Sequence, residues 1–144
     1  MTDWRGIDMR KLWSLCAIAL VAAAFVVGTS GPAAALGGET LGCRVVPVLG
    51  NPPFTPGCTN HLPARTYGVG FVVSGLNGTY GFTWHLPAGY TPVSGFCGNF
   101  SQCAINVGNF DQMIVVTVTL TQNGASETLS SRAVINEFCG NQLC

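Results

Sequence analysis

Apolar residues recur at every second position along much of the chain after residue 65, which predicts β-strands with one buried face. Residues 66–74 and residues 79–86 both show this alternation, and the Gly-Leu-Asn-Gly turn at 75–78 between them predicts a tight hairpin. The second of these strands carries Trp84 beside two other rings, which predicts that its indole lies at the centre of the core. The apolar positions of the two strands are Tyr67, Val69, Phe71, Val73, Tyr80, Phe82 and Trp84.

The strongest strand signal is residues 112–121, and a turn signal follows it directly. Asn123-Gly124 is the pair that a two-residue type I′ turn favours, because both of its central residues have positive φ. Residues 126–138 then alternate again, so the two stretches predict a second hairpin. Its buried face is predicted to consist of Ile114, Val116, Val118, Leu120, Leu129, Ser131, Ala133 and Ile135.

Weaker strands are predicted at residues 43–49 and 103–107. Pro47 interrupts the first of them, and a proline confines a strand to the edge of a sheet. The proline-rich segment 50–63 predicts a loop that crosses between sheets, and residues 87–99 predict irregular structure. Residues 36–41 are small and predict a flexible start.

No stretch shows the 3.6-residue apolar period of a helix, so about seven short strands predict an all-β fold, an antiparallel β-sandwich. The length of residues 36–144 suits one domain. Within it, residues 36–64 supply the edge strand and the proline-rich loop, and residues 65–138 supply the sandwich core. The core side chains on which this prediction depends are Phe71, Tyr80, Phe82, Trp84, Val116 and Val118.

Residues 1–35 have the pattern of a secretory signal peptide. Basic residues precede an apolar run over 12–27, and a small-residue segment ends at Ala35, where we expect cleavage. The alternative is an uncleaved membrane anchor, but the run is shorter than the roughly 20 residues that cross a bilayer. The sequence therefore predicts a secreted, extracellular protein without a membrane partner after cleavage.

The cysteines agree with export. Loss of Cys16 with the signal leaves an even number of cysteines, which predicts a disulfide framework in an oxidising compartment. The connectivity is open from sequence alone. A zinc site is the alternative, but no C-x-x-C occurs and His61 and His85 keep no ligand spacing with the cysteines, so we expect neither metal nor cofactor. Local pairing would give Cys43–Cys58, Cys97–Cys103 and Cys139–Cys144.

Charged side chains are scarce in residues 36–144, which contain three arginines, four carboxylates and no lysine. Nucleic-acid binding requires a basic stripe, so no nucleic acid is expected as a partner. Motifs such as G-x-S-x-G, H-E-x-x-H and the P-loop are absent, and His85 is predicted on the solvent face of its strand. The sequence therefore predicts a protein that is not an enzyme. The carboxylates left to a hydrolase would be Glu39, Asp111, Glu127 and Glu137, all in predicted loops or near termini.

The best binding candidates are the aromatic residues of the glycine-rich segment 87–110. Rings on a loop that a disulfide holds lose little freedom on contact, which favours a protein or carbohydrate partner. The alternative is that the rings close the open ends of the sandwich and bind nothing. The four rings are Tyr90, Phe96, Phe100 and Phe110.

The segment Trp84-His85-Leu86-Pro87-Ala88-Gly89 resembles the W-x-x-P-x-G signature of PKD-like domains, which are immunoglobulin-like β-sandwiches of secreted and cell-surface proteins. The strand before it, the short strand at 105–107 and the hairpin at 115–136 resemble the family's flanking elements. The resemblance covers about residues 65–136 and implies a non-catalytic module for adhesion, spacing or binding. Apolar residues stand where immunoglobulin domains proper place an inter-sheet disulfide, so the contact between the sheets is predicted to be apolar throughout.

Three functions remain open at this point. The first is a secreted binding or adhesion module that contacts an extracellular protein or glycan through its loops. The second is a small-molecule carrier or a protein inhibitor on the same fold, which an apolar pocket open at one end would favour. The third is a small secreted hydrolase, which two carboxylates or a carboxylate and His85 converging in a cleft would favour.

Overall fold

The computed structural model describes residues 36–144, so the predicted signal peptide and its cleavage site lie outside the described residues. Residues 36–144 are all-β, with nine strands and no helix. Strands β1, β3 and β5 form one sheet, and β2, β7, β6 and β4, in that order, form a second. The strands are β1 (Thr40–Val46), β2 (Gly57–Thr59), β3 (Thr66–Ser74), β4 (Gly81–His85), β5 (Gln102–Gly108), β6 (Gln112–Gln122), β7 (Ala125–Ile135), β8 (Phe138–Cys139) and β9 (Gln142–Leu143).

The inward faces of the two sheets form one buried hydrophobic cluster, which is the arrangement of a β-sandwich. Phe71 on β3, Ile105 on β5 and Val116 on β6 have no accessible surface. Neighbouring strands are antiparallel except for β2, which runs parallel to β7. The prediction of an all-β fold with antiparallel sheets is confirmed.

The hairpin predicted around Asn123-Gly124 is present. Asn123 and Gly124 have φ angles of 50° and 83°, and they join β6 to β7 in an eleven-residue register from Gln112↔Ile135 to Gln122↔Ala125. Positive φ at both central residues is what a type I′ turn requires. The crossing of the proline-rich loop is also confirmed, because β1 belongs to the three-stranded sheet and β2 to the four-stranded sheet.

The hairpin predicted between residues 66–74 and 79–86 is wrong. β3 pairs with β1 and β5, whereas β4 pairs with β6, so residues 75–80 carry the chain from one sheet to the other. Tyr80 anchors this crossing, because its hydroxyl donates to Glu39 and accepts from the backbone N–H of Asn77 at 3.3 Å. Turn-forming residues mark where a chain changes direction, but they do not specify which strand it joins next.

Trp84 does not lie at the centre of the core. β4 is the edge strand of its sheet, so Trp84 and Phe82 are half-buried against the margin of the cluster, while Tyr80 is buried. The indole N–H of Trp84 donates to the carbonyl oxygen of Phe100 at 2.9 Å. Period-two alternation identified the correct face of the strand, whereas its position in the sheet depends on partners far away in sequence.

The chain start and the inter-sheet contact also differ from expectation. Residues Thr40 and Leu41 belong to β1, and Glu39 is buried, so the segment predicted to be flexible enters the fold. The described residues contain the disulfides Cys43–Cys58, Cys97–Cys103 and Cys139–Cys144. The first joins β1 to β2 and therefore links the two sheets at one edge, so the prediction that apolar side-chain contacts alone hold the sheets together is wrong.

Candidate functional site

The four aromatic residues singled out by the sequence do not form one surface. Phe100 and Phe110 lie beyond opposite ends of β5, which is seven residues of extended chain. At about 3.4 Å per residue, the strand separates the two positions by roughly 20 Å. The structure therefore divides the predicted binding face into two.

Phe96 and Phe100 lie at one end of β5, on the loop that Cys97–Cys103 closes. This loop is held by backbone hydrogen bonds from Cys97 to Gln102 at 3.2 Å and from Val93 to Ala104 at 2.8 Å. Phe100 is 53% exposed and Phe96 is 42% exposed, so neither ring completes the core. We name the loop 96–101 with these two rings the stapled loop.

Tyr90 and Phe110 lie toward the other end of β5. Tyr90 is half-buried and its hydroxyl donates to Gln112 Oε1, at the start of β6. Phe110 is 54% exposed, and its ring lies over Gly108. Of the two residues, only Phe110 presents a largely exposed ring.

A concave feature lies at the edge where β1 meets β2. It is a groove of about 720 Å³ between these strands, the end of β7 and the proline-rich segment, and we name it the proline groove. This volume is within the range of small-molecule sites. The side chains on its wall are largely apolar. It is lined by Cys43, Arg44, Val45, Val48, Leu49, Pro52, Pro53, Thr55, Gly57, Cys58, Thr59, His61, Leu62, Arg132 and Val134.

Phe54 fixes the outer wall of the proline groove to the three-stranded sheet. Its Cβ and backbone lie over Gly42 on β1, and its ring covers Gly70 on β3. A Cβ on Gly42 would come within 2.8 Å of Phe54 Cβ and 3.0 Å of Phe54 C, so the close approach requires a glycine there. The Arg44 guanidinium lies over the Phe54 ring, 4.5 Å from its centroid.

Backbone contacts hold the rest of the wall in place. Cys43 and Thr55 exchange hydrogen bonds of 2.7 and 3.2 Å, and the Cys43–Cys58 disulfide closes the segment between β1 and β2. The Pro56 carbonyl accepts from the Ser131 hydroxyl at 3.0 Å and from the Arg132 N–H at 3.3 Å. The groove is therefore largely formed before any ligand arrives.

The far end of the groove is anchored by two buried polar side chains. Asn60 and the backbone of Asn136 exchange two hydrogen bonds, each 2.8 Å long. The Tyr67 hydroxyl donates to the Leu62 carbonyl at 3.1 Å and accepts from the Ala64 N–H at 3.1 Å. These contacts fix the path of the chain on both sides of Leu62, whose side chain lines the groove.

The charged residues of the groove are all basic. They are Arg44 and Arg132, and no carboxylate is among its described lining residues. Arg44 is engaged by neutral groups, since its Nη1 donates to Asn51 Oδ1 and to the Pro52 carbonyl oxygen at 3.2 Å. The Arg132 side chain is exposed, and within residues 36–144 the hydrogen bonds of this residue are made by its backbone atoms.

Sequence reasoning missed this groove. It treated residues 50–63 as a connection between sheets, and the apolar residues within a proline-rich loop, Val48, Leu49 and Phe54, were the available signal. Leu49 is 79% exposed and lines the groove. The other wall comes from residues 132–134, and nothing local in the sequence indicates that they lie beside residues 43–62.

One carboxylate has a strongly perturbed environment. Hydrogen bonds from the Tyr80 hydroxyl and from the backbone N–H of Gly37 lower the pKa of Glu39 to about 2, although its burial opposes this. The same hydrogen bond raises the pKa of Tyr80 above its ordinary value. Because the pair lies where the chain crosses between sheets, it is a structural contact at the start of β1.

The remaining candidates for chemistry are dispersed. His85 is exposed and its Nε2 lies 3.4 Å from Thr119 Oγ1, while Asp111 Oδ1 accepts from the backbone N–H of Glu137 at 2.7 Å. Among the described residues there is no group of three or more His, Cys, Asp or Glu side chains that could hold a metal ion. Within residues 36–144 no helix has the length and hydropathy that crossing a membrane takes.

Fold and site together define a class: a disulfide-tied, all-β sandwich domain of the extracellular type, with an apolar groove at one edge. No family model matches the chain, and no curated protein matches it. The chain is similar to the solution structure of the PKD domain of human KIAA0319, with 16% sequence identity, 81% of this chain and 97% of that chain covered, and a TM-score of 0.37. The motif at residues 84–89 resembles the signature of the same family.

Proposed function

We propose that this protein is a secreted, non-catalytic immunoglobulin-like or PKD-like module that binds a small apolar ligand in the proline groove. The observation that carries the proposal is the groove itself, a cleft of about 720 Å³ with apolar walls and an exposed leucine at its mouth. Ligand sites are mostly apolar, concave and formed in advance, and this groove has all three properties. Among the functions that the sequence left open, it favours the carrier.

The anchoring of the groove also supports binding. A loop rich in prolines has little backbone freedom to lose, and the Phe54 packing, the disulfide and the Asn60–Asn136 pair restrict it further. The segment is therefore held by more contacts than a simple connection between two sheets requires. Connections of this kind are commonly short and need no apolar side chains facing outward.

The test is a fluorescence titration of the exported, oxidised protein with phenylnaphthylamine, a neutral apolar dye that brightens in apolar sites. We expect saturable binding that Leu49→Asp weakens. Leu143→Asp is the matched control, because Leu143 is 61% exposed and does not line the groove. Val134→Trp, which fills the groove from β7, is a second variant. Equal binding by the wild type and both groove variants would disprove the site.

A second candidate function is contact with a protein or glycan through the stapled loop. The observation that favours it is the pair of exposed rings, Phe96 and Phe100, on a loop that a disulfide and backbone hydrogen bonds hold. Capture of extracellular proteins or binding to a glycan array should then fall when Phe96 and Phe100 are changed to Ala. Phe110→Ala is the matched control, since that ring is as exposed but lies beyond the other end of β5. Unchanged capture would exclude this role.

A further inference from the structure

We propose that the proline groove selects an amphiphilic anion, a small molecule with an apolar body and one acidic head group, and that Arg132 binds the head. This inference rests on the proposed function and narrows it to a ligand class. A carboxylate on an aliphatic chain is the simplest member of the class.

Charge distribution is the first argument. Residues 36–144 contain three arginines and four carboxylates, so their formal charge is slightly negative, yet two of the three arginines line the groove and no carboxylate does. A local excess of positive charge against apolar walls attracts an anion and favours it over a neutral molecule of the same shape.

The two arginines differ in what they can offer a ligand. The guanidinium of Arg44 already contacts groups of the groove wall: the Phe54 ring, Asn51 and the Pro52 carbonyl. Within residues 36–144 the hydrogen bonds of Arg132 are made by its backbone atoms, so its guanidinium is available, and its planar donors suit a bidentate carboxylate or sulfonate. Its backbone, by contrast, is held in the ladder opposite Gly57. The head group is therefore assigned to Arg132.

Position supports the same assignment. Arg132 and Val134 lie two residues apart on β7, so their side chains leave the same face of the sheet. An acidic head at Arg132 thus has apolar wall directly beside it for the body of the ligand. Across the strand pair, Met113 is the neighbour of Val134 and is itself exposed, which continues the apolar surface beyond the groove.

The experiment compares two dyes with nearly the same aromatic body, anilinonaphthalene sulfonate, which carries a negative charge, and phenylnaphthylamine, which does not. We expect the exported, oxidised protein to bind the anion more tightly and to lose that preference as salt is added. Arg132→Gln should weaken binding of the anion roughly three- to five-fold and leave the neutral dye unchanged. Arg132→Lys should retain most of the preference. Decanoate should displace the anion.

Arg65→Gln is the matched control, because Arg65 is an exposed arginine outside the groove, and it should change neither affinity. If the neutral dye binds but Arg132→Gln affects both dyes equally or neither, the head-group assignment is wrong and the groove remains a binding site. If neither dye binds the wild type, this inference and the proposed function fail together.

Discussion

At the scale of single residues, the contact between Glu39 and Tyr80 shows how a polar pair can determine a chain path. Glu39 accepts from the Tyr80 hydroxyl and from the backbone N–H groups of Gly37 and Gly38 at 2.8 and 3.0 Å. A carboxylate can be buried only when its oxygens have donors, and here it has three. The pair connects the start of β1 to the segment that enters β4.

This pair makes the free energy of unfolding depend on pH. The pKa of Glu39 is about 2 in the folded protein against 4.5 ordinarily, so the folded state binds a proton less readily than the unfolded chain. The stabilisation is therefore complete above about pH 4.5 and is lost as the pH falls through about 2. Urea unfolding measured from about pH 6 to about pH 2 should show a loss of stability that Tyr80→Phe reduces, because the hydroxyl that lowers the pKa is gone.

Tyr67→Phe is the control for that measurement. The Tyr67 hydroxyl bonds only backbone groups, at Leu62 and Ala64, so its removal should destabilise the fold by a similar amount at every pH. If Tyr80→Phe left the acid dependence as steep as in the wild type, another carboxylate would have to be responsible.

At the scale of elements, the proline-rich segment behaves as part of the sandwich instead of as a free loop. It packs Phe54 on two adjacent strands and pairs Thr55 with Cys43 along the edge of β1. Pro47 follows β1 directly, and β1 lies at the edge of its sheet, as a proline requires. The segment thereby covers an edge that would otherwise be open to pairing with another chain.

Gly42→Ala should separate this packing from the rest of the fold. The added Cβ would clash with Phe54 Cβ and its backbone, so the segment must move away from the sheet. We expect a loss of about 1–3 kcal/mol in the free energy of unfolding, as for other overpacked positions, together with weaker dye binding in the groove.

Gly38→Ala provides the comparison, because a Cβ at Gly38 meets nothing within 4 Å. Its free energy of unfolding and its dye affinity should remain close to those of the wild type. Equal behaviour of the two variants, measured by urea unfolding and dye titration, would show that Phe54 can shift without consequence for the groove.

At the scale of the whole molecule, the two sheets are held together by their shared apolar cluster and by one covalent link. Cys43–Cys58 bridges β1 and β2 across 15 positions of sequence, and Cys43 is completely buried. The other two bridges close shorter loops, over six and five positions, and neither joins the sheets. The three disulfides therefore have unequal importance for the fold.

Removal of single bridges should reveal this difference. Changing Cys43 and Cys58 together to Ala should cost about 3 kcal/mol, since the closed loop has about 15 residues. Changing Cys139 and Cys144 together to Ala should cost less, because that loop is shorter and the β8–β9 hairpin lies outside the two sheets. Urea unfolding of the two double variants gives the comparison, and equal losses would contradict a special role for the inter-sheet bridge.

Much of the architecture could be read from local pattern. The alternation over residues 66–74 predicted β3 with its correct bounds and buried face, and Asn123-Gly124 predicted the β6–β7 turn. The candidate site was predicted less well. The exposed rings were identified, but Phe100 and Phe110 lie beyond opposite ends of a strand, and the proline groove was not foreseen.

The sequence by itself determined the properties that neighbouring residues encode: which stretches are strands, which face of each is apolar, and where the chain turns. It did so because side-chain alternation and backbone φ angles depend on residues that are close together in the chain. Only the tertiary structure decided that β4 joins β6 instead of β3, that Trp84 lies at an edge, and that residues 43–62 meet residues 132–134 to form a groove. Those outcomes depend on contacts between segments far apart in the chain, such as Glu39 with Tyr80 and Asn60 with Asn136, whose free energies no local pattern contains.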